Sequence, residues 1–163
     1  MKTLVVYFTR SGNTTKVAEE IAAALEADIE LLEDDVNRGG PIGFVKSGRE
    51  ARSDTMVNLK PLKHDLTTYD LVVVGTPVWA RTVSSPVRTF LRTAKLGSAK
   101  LAWFCTVGAS SESFKESCFA TMTEAACRTP IATIGFSSRE LKNDHSSAVA
   151  GFVESLKAAG TQG

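Results

Sequence analysis

Three short apolar runs punctuate the chain at residues 4–8, 71–74 and 101–105. Each is mostly β-branched or aromatic, and none alternates with polar residues. A strand with one wet face alternates, whereas a strand covered by helices on both sides does not, so these read as buried strands of a parallel sheet. Residues 28–32 and 131–136 are more mixed and read as flanking strands.

Between the runs the spacing changes from that of a strand to that of a helix. Val17, Ile21, Ala24 and Leu25 form one apolar stripe. Val87, Phe90, Leu91 and Ala94 form a second, started by Ser85 as N-cap and Pro86 in the first helical position. Phe114, Cys118, Met122 and Ala125 form a third, stopped before Pro130. Val149, Phe152, Val153 and Leu156 form the last, closed by Gly160. Strands alternating with helices predict an α/β doubly wound sheet, a single domain over residues 1–163. The exception is residues 34–69, polar and basic apart from Ile42, Phe44 and Val45, with a short helix near residues 43–52. That length predicts either a cover over a functional site or a variant crossover between the second and third strands, with the three apolar side chains anchoring it to the body.

Composition narrows the function. Lys and Arg total 19 against 18 Asp and Glu, a net charge of +1, so nothing steers the protein toward nucleic acid or a membrane. No run is long enough to cross a bilayer, and the first is too short for a signal peptide's apolar core; a cytoplasmic protein is expected. The cysteines Cys105, Cys118 and Cys127 include no CxxC pair and read as reduced thiols, Cys118 and Cys127 on different faces of one helix. Neither His64 nor His145 has a partner at metal-ligand spacing, so no metal site is expected. No Ser/His/Asp arrangement or carboxylate pair appears, and no catalytic residue is assigned.

The candidate chemistry lies in the turn after the first strand. Thr9, Arg10, Ser11, Gly12, Asn13, Thr14 and Thr15 are nearly all hydroxyls, amides and glycine, placed where a helix begins. A helix start offers unsatisfied N–H groups and the positive end of the macrodipole. With short side-chain donors and a glycine for close approach, the turn is a neutral cradle for a phosphate. Neither GxxxxGK[ST] nor GxGxxG is present, which excludes a nucleoside-triphosphatase loop and argues against a dinucleotide site on the first strand.

The sequence Thr9-Arg10-Ser11-Gly12-Asn13-Thr14 resembles the flavodoxin family's phosphate loop, [ST]-x-[ST]-G-x-T. The resemblance continues in VVVGTPVWARTVSSPVRTFL and WFCTVGASSESF, and covers nearly the whole chain. It implies a five-stranded, three-layer α/β/α sheet of order 2-1-3-4-5 and an FMN at the carboxyl ends of the strands. By the same resemblance, Thr76, Pro77, Val78, Trp79 and Ala80 would line one side of the isoalloxazine ring, with Trp79 stacking on it. Thr106, Val107, Gly108, Ala109 and Ser110 would serve its polar edge. A single-phosphate cradle favours FMN over FAD. Arg10 sits at the motif's variable position and is expected to be solvated, as are Arg81, Arg88, Arg92 and Lys95, unless they dock an anionic partner.

Two redox readings follow, with a flavodoxin-fold module that has lost its cofactor as a third, weakened by the intact phosphate motif. One is a flavin electron carrier serving a redox partner protein. The other is an oxidoreductase in which NAD(P)H reduces FMN and a quinone or similar small acceptor reoxidises it. The family's classical carriers are strongly acidic and this chain is near neutral. The second loop also lacks the glycine whose peptide flips in those carriers, which points to two-electron chemistry.

Overall fold

A computed structural model describes residues 1–108 and 111–160. In its sheet β1 (Thr3–Tyr7) pairs in parallel with β2 (Asp28–Leu31) on one side and with the middle strand, β3 (Leu71–Trp79), on the other. β5 (Lys100–Val107) joins β3, and β6 (Thr133–Ser137) joins β5, again in parallel. The order β2-β1-β3-β5-β6 is the expected five-strand path. One strand was not foreseen: β4 (Thr82–Val83) folds back antiparallel onto the end of β3.

The apolar runs do what their lack of alternation implies. Leu4, Val6, Val72, Val74, Leu101, Trp103 and Cys105 face one core. Val5, Tyr7, Val73, Ala102 and Phe104 face the other. The first core is closed by α3 (Ser85–Thr93) and α4 (Glu112–Ala126), the second by α1 (Asn13–Leu25) and α5 (Ser146–Gly160). Side chains alternate between faces, both faces are covered, and every residue of β1 is buried. Gly75 on β3 leaves the space that the Phe104 ring fills, so even alanine there meets the ring.

Residues 34–69 form the crossover from β2 to β3. They contain α2 (Gly40–Arg52) and an internal Asp34–Leu59 bridge, and are stitched to the body by polar contacts: the Lys60 N–H to the Glu33 carbonyl, and the Lys63 and His64 N–H groups to the Glu30 carboxylate. The expected apolar anchor is not what holds α2. Ile42 is 85 % exposed and Val45 60 %, while the buried stripe is Gly43, Ser47 and Ala51. Gly43 allows the helix to press against the Arg38 backbone, a separation no Cβ would permit. Small residues therefore face inward and large apolar ones outward. The start of α3 also differs slightly: Ser84 is the N-cap, Ser85 is already helical, and neither caps through its side chain.

Candidate functional site

The site begins where β1 ends. Gly12 takes φ 98°, a conformation that side-chain-bearing residues rarely adopt, and its N–H donates to the Thr9 hydroxyl at 3.0 Å. That closes a compact turn and starts α1 at Asn13 with no side-chain cap. The intrahelical ladder opens with the Lys16 N–H on the Gly12 carbonyl, so the first-turn N–H groups are left to a partner outside the helix. Ser11 and Asn13 are exposed, whereas Thr14 is 1 % exposed and its hydroxyl pairs with that of Thr106 at 2.8 Å. This bond ties the turn to the end of β5.

Around the turn lies a cavity of about 210 Å³. Thr9, Arg10, Ser11, Asn13 and Thr14 form its floor, Pro77, Val78 and Trp79 one wall, and Thr106, Val107 and Gly108 the other. The turn after β1 and the carboxyl ends of β3 and β5 thus meet at one place. Gly12, Thr15, Thr76 and Ala80 are not among its lining residues; Gly12 shapes the turn through its backbone. Thr76 is turned inward: its hydroxyl donates toward Ser84 Oγ at 2.9 Å and accepts from the Ser84 N–H at 3.1 Å, which fixes β3 to the start of α3. Ala109 and Ser110, expected at the polar edge, lie outside the described residues. Two lining residues were not assigned from sequence. Ser138 follows β6, a position the carboxyl-end rule would have offered. Phe44 reaches over from α2, 61 % exposed, with the Arg10 guanidinium 5.1 Å from its ring centre. Arg10 is therefore solvent-exposed, as expected, but stacked at the mouth.

Trp79 differs from its expected setting. It ends a strand rather than riding on a loop and is only 7 % exposed. Phe8 meets it edge-to-face at 5.5 Å, and the Arg38 guanidinium lies 5.0 Å from its ring centre. Ala80 and Arg81 follow at φ 49° and 69°, a left-handed pair in the tight β3–β4 hairpin. The absence of glycine therefore does not keep this loop out of positive φ. What constrains it is the hairpin, whose pairs Val78–Val83 and Trp79–Thr82 bracket the turn. Arg81 then stacks 4.7 Å from the centre of the Phe114 ring. Arg88 departs further from the expected solvated face: it is 2 % exposed, with Nη2 donating to the Ala51 carbonyl at 2.9 Å and Nε 3.1 Å from Asp54 Oδ1.

A hydroxyl-lined turn at an uncapped helix start fits a phosphate, and the apolar wall of Pro77, Val78 and Trp79 fits a flat ring beside it. Among the described residues no group of His, Cys, Asp and Glu could hold a metal ion, and no helix is long and apolar enough to cross a membrane.

The family model for NADPH-dependent FMN reductases matches residues 1–126. The chain belongs to that family. It is an FMN-binding, flavodoxin-like redox protein. Similar solved structures support the fold. A Bacteroides eggerthii protein assigned to the flavoproteins is 21 % identical, with 94 % of this chain and 96 % of that one covered and a TM-score of 0.77. A Lactobacillus acidophilus flavoprotein in complex with FMN is 20 % identical over 86 % and 96 %, TM-score 0.67. Oxidised flavodoxin 2 from Bacillus cereus is 16 % identical over 98 % and 99 %, TM-score 0.64. No curated protein matches.

Proposed function

We propose that this FMN reductase family member takes reducing equivalents from NAD(P)H and passes them to a quinone or similar small acceptor. Bound FMN would supply the redox chemistry between the two substrates. The protein's part is to bind, orient and shield. The Ser11 and Asn13 side chains and the first-turn N–H groups of α1 would hold the phosphate. Pro77, Val78 and Trp79 would flank the ring, and the Thr106–Gly108 backbone would face its polar edge. Phe44 and Arg10 would limit access at the mouth.

One observation carries the cofactor assignment to these residues: an uncapped α1, entered through Gly12 at φ 98°, opens into the cavity between β3 and β5. The near-neutral charge of +1 favours a small diffusible donor and acceptor over a docked carrier partner. Anaerobic titration of the FMN-loaded protein with NADPH, then NADH, tests the donor: prompt bleaching of the oxidised flavin absorbance is expected. Flavin that stays oxidised under both would remove the reductase reading and favour the electron carrier. The double variant Ser11→Ala/Asn13→Ala tests the cradle. FMN should bind on the order of 10²–10⁴-fold more weakly, since two hydrogen bonds to a charged group are lost at about 1.5–3 kcal/mol each. Riboflavin, which lacks the phosphate, should bind unchanged.

A further inference from the structure

We propose that Arg38 is a positioning residue of the flavin site, acting through Trp79; the inference rests on the reading that Trp79 flanks the flavin ring. Arg38 belongs to the β2–β3 crossover, yet it is only 7 % exposed. All three nitrogens of its guanidinium are engaged. Nε and Nη2 both donate to Asp34 Oδ2, at 3.1 and 2.6 Å. Nη1 donates to Ser47 Oγ at 3.0 Å and to Glu50 Oε2 at 2.8 Å. The guanidinium thus held lies 5.0 Å from the centre of the Trp79 ring and 5.8 Å from that of Phe8. From behind, the α2 helix presses Gly43 onto the Arg38 backbone.

One group therefore joins the start of the crossover after β2, the inner face of α2 and the wall of the cofactor cavity. Its composition says what it is for. A buried ion cluster is a poor device for stability, because apolar side chains of similar volume fill such a space as well or better. A planar guanidinium gripped on both flanks fixes an orientation that an apolar side chain would leave to packing. Here the fixed plane lies against the aromatic residue that lines the cavity, and the same grip sets α2, which carries Phe44 to the mouth.

The test separates orientation from mere support. Arg38→Ala alone leaves the side chains of Asp34 and Glu50, 4 % and 13 % exposed, without their shared cation, and can simply unfold. The informative variant is Asp34→Asn/Arg38→Met/Glu50→Gln, which removes every charge of the cluster at nearly constant volume. FMN and riboflavin affinities are measured for it with Trp79 intact and with Trp79→Phe, alongside urea unfolding. If Arg38 positions the ring wall, the triple variant folds and binds both flavins about 10-fold more weakly, by the same factor because the phosphate cradle is untouched. In the Trp79→Phe background most of that loss disappears, the coupling expected of residues acting as a unit. A folded triple variant with unchanged riboflavin affinity overturns the inference. So does an equal loss with and without Trp79. A wild-type protein that fails to bind FMN at all breaks the functional reading instead, and this is read separately from its visible spectrum.

Discussion

The floor and the outer side of the cavity are built by opposite rules. The floor, from Thr9 to Thr14, relies on local structure: one left-handed glycine, an uncapped helix start and small polar side chains, with Arg10 turned to the Phe44 ring. The outer side, from Arg38 to Ala51, relies on side chains: a buried arginine between two carboxylates, a glycine that lets a helix crowd it, and large apolar residues turned to solvent. The floor is a mostly local device, a run of consecutive residues tied to the rest by the Thr14–Thr106 bond. The outer side exists only once α2 has folded back on Asp34 and Arg38 and these have packed against Phe8 and Trp79. A local device should tolerate change elsewhere, whereas an assembled one should fail as a unit.

The largest effect is therefore expected where the assembled side is tightest. Gly43→Ala places a Cβ into the Arg38 backbone, so α2 must move away. We expect a loss of about 2 kcal/mol in unfolding free energy, read by urea denaturation, despite alanine's better helix propensity. Riboflavin and FMN should weaken together. Loss of FMN alone would mean that the two sides of the cavity are not separable in this way.

The same contrast explains what the sequence made legible. The buried strands announce themselves because a parallel sheet forbids alternation, and β1 and β3 fall where their apolar runs lie. The phosphate turn is legible because its function is written in contiguous residues. The α2 region is not, because hydrophobic patterning assumes that large apolar side chains point inward. Here Ile42 and Val45 point outward, while Gly43, Ser47 and Ala51 make the contact. Arg88 resembled a solvated charge for a related reason: its burial depends on groups distant in sequence, the Ala51 carbonyl and the Asp54 carboxylate. The Ala80–Arg81 turn escaped notice because it uses positive φ without the Gly or Asn that usually signals it.

A smaller effect probes the seam between floor and wall. Thr14→Val keeps the volume but removes the hydroxyl that pairs with Thr106 at 2.8 Å. An unpaired hydroxyl left in a site this buried should lower stability by about 1–2 kcal/mol. FMN affinity should fall only a few-fold, since the first-turn N–H groups and Ser11 remain. A much larger fall, with riboflavin unaffected, would show that the Thr14 hydroxyl itself grips the phosphate, and the floor would then be less a backbone device than it looks.

The smallest expected effect concerns the remaining side, after β6, where Ser138 lines the cavity. Glu140 Oε2 accepts the Ser137 N–H at 2.6 Å and the Lys115 ammonium at 3.1 Å. The Ser137 N–H and then its hydroxyl, helped by Lys115 and opposed by partial burial, hold the Glu140 carboxyl down at about 2, against an ordinary 4.5. A carboxyl whose pKa is lower in the folded protein binds its proton more readily in the unfolded chain. Its contribution is therefore fully present above the ordinary value and is lost as pH falls toward 2. The side chain is 50 % exposed, so solvent screening reduces the contribution to about 1 kcal/mol. Urea midpoints measured across that acid range should fall less steeply for Glu140→Gln, which cannot titrate, than for the wild-type chain. Parallel curves would mean that the Ser137–Glu140 turn is held by its backbone alone, like the floor, and would leave the Arg38 cluster as the one side of the site that depends on charge.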